Sequence, residues 1–133
     1  MISNTYDDII RKWASDKLPP IGMPLEDFIR LIKAVITHET GGTWNPNLVG
    51  VTHDLGLMQI NPSNLPHYGM IPNDMFDPDK NIMVGVDIHR WSLNAEGNVH
   101  DGLEAYNGGP KNINLPVTEK YADRVLSIYN QIA

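Results

Sequence analysis

The stretch PLEDFIRLIKAVITHETGG, residues 24–42, decides how this chain is read. At 100° per residue, Leu25, Phe28, Ile32, Val35 and Ile36 fall on one apolar stripe, the mark of an amphipathic helix. Pro24 suits the first turn, where its missing N–H costs nothing. Gly41 and Gly42 stop the helix, because glycine accepts the left-handed turn that ends one. The spacing therefore predicts a helix from Leu25 to about Thr40. Glu39 lies four residues after Val35 and seven after Ile32, in the middle of the apolar stripe. A carboxylate facing an apolar wall loses hydration, and its pKa rises. In the last helical turn the negative end of the macrodipole disfavours ionisation further. Both effects keep a carboxyl protonated near neutral pH, as a general acid requires. The plainer alternative is a glutamate exposed where the helix frays at Gly41, and the stripe alone does not separate the two.

Helical spacing continues on both sides. Tyr6 to Ala14 reads as a short helix capped near Asn4 or Thr5. Leu18 to Met23, with Pro19, Pro20 and Gly22, reads as a turn. Thr43 to Leu55 is a loop, Gly56 to Ile60 a short segment, and Pro62 opens another loop. Asp77 followed by Pro78 is an N-cap and first-turn proline, opening a helix to about Ala95. Val99 to Asn107 is a further helix, broken by Gly108, Gly109 and Pro110. Thr118 is expected to cap a last helix to about Ile132, with the stripe Tyr121, Val125, Ile128 and Ile132. Alternating apolar runs of four or more are missing, so the expected class is all-α, or mainly α with a minimal β element.

Composition removes other classes. The 133 residues fit one domain, 1–133, and 41% hydrophobic with 20% charged residues is globular composition. Without cysteine there is no disulfide framework, thiolate metal site or cysteine nucleophile. A formal charge of -6 gives no long-range attraction for nucleic acid. No apolar run approaches the ~18 residues of a membrane helix, so no membrane insertion is expected. Met1 to Trp13 is polar and carries Asp7 and Asp8, unlike a secretory signal. Metal spacing fails as well. His38-Glu39 would need a histidine where Gly42 stands, and the calcium-loop start Asp77-x-Asp79-x-Asn81 meets Ile82 and Ile88 where glycine and glutamate belong. His53, His67, His89 and His100 have no ligand spacing. No metal or cofactor is expected.

Five ordered motifs follow Glu39-Thr40: Trp44-Asn45-Pro46; Gly56-Leu57-Met58-Gln59-Ile60-Asn61-Pro62; Phe76-Asp77-Pro78 with Asn81-Ile82 and Gly85; Ala105-Tyr106-Asn107-Gly108-Gly109-Pro110; and Tyr121 with Val125-Leu126. Their order and spacing resemble the SLT-type lytic transglycosylase domain, the goose-lysozyme-like group of glycoside hydrolase family 23, over roughly Phe28 to Tyr129. The resemblance implies a lysozyme-like fold with a substrate cleft. It implies Glu39 as the catalytic residue, Gln59 lining the cleft, and Tyr106 and Asn107 near the catalytic carboxylate. Thr40 and Met58 join these as substrate-binding positions, although Leu57 and Met58 also read as wall and core. The residue types suit sugars, which need planar amides for their hydroxyls and acetamido groups and aromatic faces for their C–H sides.

Several positions depart from the pattern. Gly41-Gly42-Thr43 lengthens the step to Trp44-Asn45-Pro46, a frequent serine falls at Gly50, Asn61 replaces an apolar residue, and a family glutamate falls at Val117. Glycosidases that hydrolyse use two carboxylates. Glu104 is about 200° round its helix from Tyr106, and Asp54 on its loop is ordinary turn chemistry. A lone-glutamate mechanism is therefore expected. In it Glu39 protonates the oxygen between N-acetylmuramic acid and N-acetylglucosamine, and then acts as base toward the C6 hydroxyl that closes a 1,6-anhydro ring. A lysozyme-type muramidase and a non-enzymatic glycan-binding module remain the competing classes. The expected partner is the peptidoglycan glycan strand, met by a monomer acting on the cell wall. A phage lysis or virion-associated enzyme, or a domain of a longer protein, fits that expectation.

Overall fold

Burial of α2 from almost every side organises the molecule, a computed structural model that describes residues 2–132. Met1 and Ala133, the ends of the expected 1–133 domain, lie outside the described residues. Five α-helices are formed among them: α1 (Asp7–Ala14), α2 (Leu25–Glu39), α3 (Pro78–Glu96), α4 (Val99–Gly108) and α5 (Pro116–Tyr129). In α2, Phe28, Leu31, Ile32, Ala34, Val35 and Ile36 are all fully buried. The apolar face is thus wider than the stripe in the sequence, because α1 and α5 both pack on α2. A second layer forms where α3 packs on α1 and α4, and α4 on α5.

The helix ends follow local chemistry, with three departures. Asp77 caps α3 by accepting from the Asp79 N–H at 3.0 Å, with Pro78 in the first turn as expected. Gly97 closes α3 in the left-handed conformation. α1 starts at Asp7 with Tyr6 at the cap, while the Ser3 hydroxyl takes the Thr5 N–H instead. α5 begins at Pro116 rather than at Thr118. Proline presets the first-turn dihedral, so Leu115 is the cap and the Thr118 hydroxyl reaches back to the Leu115 N–H. α5 also ends at Tyr129, short of Ile132. Pro62–Tyr68 and Pro72–Phe76 wind into 3₁₀ turns.

The only β pairing among the described residues is a pair of isolated bridges, Val49 to Leu55 and Leu55 to Ile60. Leu55 and Ile60 exchange both backbone hydrogen bonds, at 3.0 and 2.9 Å, and so pinch off the turn Gly56–Gln59. Asn81 of α3 clamps this turn from within the core. Its Oδ1 accepts from the Met58 N–H at 2.9 Å, and its Nδ2 donates to the carbonyls of Leu55 at 2.9 Å and Met75 at 3.0 Å. The clamp requires close approach at Gly56, which has φ +74° and where a Cβ would collide with Asn81 Nδ2 and the Met75 carbonyl.

Glu104 is fully buried between α4 and α5, away from any cleft. Its Oε1 accepts from the Asn114 N–H at 2.8 Å and the Thr118 hydroxyl at 3.0 Å, and His100 Nδ1 lies 3.0 Å from its Oε2. Glu104 is therefore a structural staple. His100, Asp101 and Glu104 bring ligand-type atoms within 4.8 Å of one another; Glu104 and His100 meet Thr118 and Asp123 of α5, and Asp101 accepts from Asn98 at the start of α4. Among the described residues no helix is long and apolar enough to cross a membrane.

Candidate active site

α2 delivers Glu39 at its final residue, and the turn at Gly41 and Gly42, both with positive φ, carries the chain away from it. The carboxyl faces a narrow cavity of about 120 Å³ lined also by Asp54, Gln59, Ile60, Asn61, Asn64, Ile88, Tyr106 and Asn107. Asn61, Asn64, Ile88, Tyr106 and Asn107 continue into a larger groove of about 970 Å³. That groove runs past Trp91, which is 62% exposed, and does not itself contain Glu39. The smaller space thus opens into the bigger one through these shared residues.

Among the described residues, Glu39 has one side-chain hydrogen-bond partner. The Tyr121 hydroxyl, from α5, donates to Oε2 at 2.9 Å. Tyr121 is itself oriented by the edge of the His38 ring, 5.1 Å between centroids. Burial pushes the Glu39 pKa from 4.5 to about 7; the Tyr121 hydrogen bond opposes this rise, and the charge of Asp54 adds to it. The stripe position of Glu39 thus has the consequence its spacing implies: the carboxyl holds its proton more tightly than an exposed glutamate does.

Tyr106 stands beside this carboxyl. Its hydroxyl donates to the Met58 carbonyl at 2.6 Å, which ties α4 to the turn carrying Gln59. Its ring lies 3.6 Å from that of His89, a fully buried histidine bonded through Nδ1 to the Gly85 carbonyl. Burial drives the His89 pKa down to about 4, so a neutral ring supports Tyr106. Burial and the neighbouring Glu39 charge push the phenols of Tyr106 and Tyr121 well above 10. Both act as neutral hydrogen-bonding groups. Asn107 is exposed at the cavity rim.

Gln59 reaches the cavity with only half of its amide free. Its Nε2 donates to the carbonyls of Gly56 at 2.8 Å and Leu48 at 3.3 Å, so the donor braces the loop and Oε1 is what remains. Gly50, at the place of the frequent serine, makes room for this, since a Cβ there would collide with Gln59 Oε1. Two expected substrate-binding positions are corrected. Met58 is fully buried against Gly85, where a Cβ would collide with its sulfur, so its side chain is core. Thr40 is 3% exposed, and its hydroxyl donates to the Ile36 carbonyl at 2.8 Å and accepts from the Trp44 N–H at 3.0 Å. It anchors the loop after α2, and its burial keeps it out of the cavity.

Tyr121, Asn61, Asn64 and Ile88 belong to the site and were not singled out for it in the sequence. For Tyr121 a signal existed: a tyrosine in the middle of an apolar stripe must find a partner for its hydroxyl when buried. Asp54 reads in the sequence as turn chemistry, yet the loop brings it to the same cavity as Glu39.

A "Transglycosylase" of Enterobacteria phage PRD1 is 31% identical over 102 residues, 76% of this chain and 37% of that protein. The crystal structure of the 70 kDa soluble lytic transglycosylase from Escherichia coli superposes with a TM-score of 0.78 at 21% identity, covering 96% of this chain and 24% of that one. Its complex with bulgecin A superposes with a TM-score of 0.75. The chain thus spans well under half the length of these proteins, and with the second it shares the all-α, lysozyme-like fold. Residues 27–125, from the start of α2 into α5 and including every residue that lines the cavity, match the Transglycosylase SLT domain, and the chain belongs to that family.

Proposed function

We propose that residues 1–133 form the catalytic domain of a peptidoglycan lytic transglycosylase. It cleaves the β-1,4 bond between N-acetylmuramic acid and N-acetylglucosamine and leaves a 1,6-anhydro end. The observation that carries this reading is the Glu39 carboxyl, set by the end of α2 in a narrow cavity shared with Gln59, Tyr106 and Asn107, where burial raises its pKa to about 7. In the first half-reaction Glu39 gives its proton to the bridging O4 as the C1–O4 bond breaks, and the 2-acetamido group assists departure. In the second, the C6 hydroxyl forms the O6–C1 bond and its proton returns to Glu39. No water is consumed. Gln59 Oε1, Asn107 and Tyr106 supply sugar contacts, and exposed Trp91 supplies an apolar face along the groove. The domain acts on the cell wall, as a monomer, either as a phage lysis or virion-associated enzyme or within a longer protein.

Mass spectrometry of muropeptides released from purified peptidoglycan tests the reading. Anhydro ends, lighter by one water than hydrolytic ends, should dominate, with the rate unchanged by chelator. Predominantly reducing ends would establish the muramidase alternative, and a folded protein that binds glycan without cutting it would establish the binding-module alternative.

The pH dependence has a definite sign. General-acid catalysis needs the Glu39 proton, so activity should fall as pH rises through about 7. The Tyr121 hydrogen bond favours the ionised carboxylate. Tyr121→Phe should therefore raise the Glu39 pKa and move the alkaline fall to higher pH. A pH–rate profile of that variant with its alkaline limb unmoved, or moved down, would show that Tyr121 does not bear on the acid.

A further inference from the structure

The catalytic cavity holds a second carboxylate, and its setting differs from that of an ordinary turn aspartate. Asp54 lies on the loop between Trp44 and the Gly56 turn. Its backbone is fixed on both sides, since its carbonyl accepts from the Gly50 N–H at 2.9 Å and the following residue, Leu55, is paired with Ile60. Its side chain is fixed as well: Oδ2 accepts from the Thr52 hydroxyl at 2.9 Å. Its Oδ1 is shielded from solvent and has no hydrogen-bond partner in the protein. An acceptor withdrawn from water and left without a donor is costly, and such groups in folded proteins call for an explanation.

The surroundings narrow what the missing donor is. No lysine, arginine or histidine lines the cavity, so no charged partner is supplied from within it. The amide donor of Gln59 is spent on Leu48 and Gly56. The Tyr106 and Tyr121 hydroxyls are spent on Met58 and on Glu39. The amides of Asn61, Asn64 and Asn107 also line the cavity, and none of them donates to Asp54 Oδ1. With no protein donor engaged, Asp54 Oδ1 is open to a hydrogen bond from an O–H of a bound substrate.

We propose that Asp54 positions the acceptor of the second half-reaction, its Oδ1 taking a hydrogen bond from the C6 hydroxyl of the muramyl ring and holding O6 toward C1. The proposal rests on the transglycosylase reading above. Asp54 is not the proton store. As the O6–C1 bond forms, the O6 proton ends on the Glu39 carboxylate that gave up its proton to O4, so protons balance without Asp54 changing state. When O6 is not held, water takes its place at C1, and a hydroxyl is added where the ring would have closed. Asp54 thus biases the product between an anhydro and a reducing end.

The test compares wild type, Asp54→Asn and Thr52→Val on purified peptidoglycan, with folding checked by circular dichroism and thermal unfolding. For Asp54→Asn we expect kcat to fall ~10- to 100-fold, the scale of a misplaced reacting group. KM should stay within about threefold, and the share of reducing ends should rise. The pH–rate profile supplies a readout that a merely structural loop residue would not move. The groups facing Glu39 are Tyr121 from α5, Tyr106 from α4 and Asp54 from the loop. Only Asp54 places a negative charge there, so its loss should move the alkaline limb to lower pH. Thr52→Val frees Oδ2 but keeps the charge. It should raise the share of reducing ends while leaving the limb in place. A share of reducing ends that is unchanged or lower in both variants overturns the proposal. If wild type itself yields no anhydro product, the transglycosylase reading fails first and this inference falls with it.

Discussion

Glu39→Gln should lower the rate of glycan cleavage by ~10² to 10⁴, the range for losing general acid–base help, while the fold survives. Glutamine keeps the shape and can still accept from Tyr121, but it has no proton to give and no carboxylate to take one back. The same variant carries a stability signature. In the folded protein the Glu39 pKa is about 7, against 4.5 for the ordinary carboxyl of an unfolded chain. Below 4.5 both states hold the proton. As pH rises from 4.5 toward 7 the unfolded chain releases it and the folded one retains it, so wild type loses stability across that window and the loss levels off above about 7. Its size is ~3 kcal/mol. Glutamine does not titrate. The stability of Glu39→Gln relative to wild type should therefore rise between pH 4 and pH 8. Urea unfolding of both proteins at those two values measures it. A wild-type rate in the folded variant would remove Glu39 from the mechanism, and a stability difference independent of pH would mean that its carboxyl is not held as described.

Asn81→Ala is expected to be among the most destabilising single changes, at ~2–4 kcal/mol. Three backbone groups, the Met58 N–H and the carbonyls of Leu55 and Met75, have their hydrogen bonds to this one side chain in a buried setting. Alanine removes all three bonds; the Leu55 carbonyl keeps the Ile60 N–H, whereas the Met58 N–H and the Met75 carbonyl lose this partner, and each buried unsatisfied group costs ~1–3 kcal/mol, partly recovered by relaxation or an admitted water. The damage reaches the site, because the clamped turn carries both Gln59 and the Met58 carbonyl that holds Tyr106. Denaturant unfolding should show a lower midpoint with an unchanged slope, together with reduced activity under conditions where the variant is still folded. A loss under about 0.5 kcal/mol would mean that the turn is held by the Leu55–Ile60 pairing alone.

The helices and the place of Glu39 were readable from the sequence because they depend on local chemistry. A 3.6-residue period, a proline in a first turn and glycines at a stop act over a few residues, and α2 and the start of α3 follow from them. Where two local signals competed, the reading slipped. Thr118 is a good capping residue, but Pro116 two positions earlier starts α5, and the threonine hydroxyl caps from inside the helix. The site was legible only as far as position along a chain carries it. That Glu39 sits on an apolar face follows from spacing. That Tyr121, 82 residues later, donates to it follows only from how α5 packs on α2. Thr40 and Met58 show the converse, since adjacency to motif residues says nothing about which way a side chain points. The backbone at Thr40 turns its hydroxyl onto Ile36 and Trp44, and Gly85 draws Met58 into the core. Asp54 looks ordinary in sequence because aspartate is common in loops. Its meaning arises from the pairing of Leu55 with Ile60 and the hold of Thr52, which together carry a second carboxylate into the cavity of the first. Periodicity and caps determined the helices, whereas the cleft was decided by contacts between residues tens of positions apart, because an active site is defined by distance in space and a sequence records only distance along the chain.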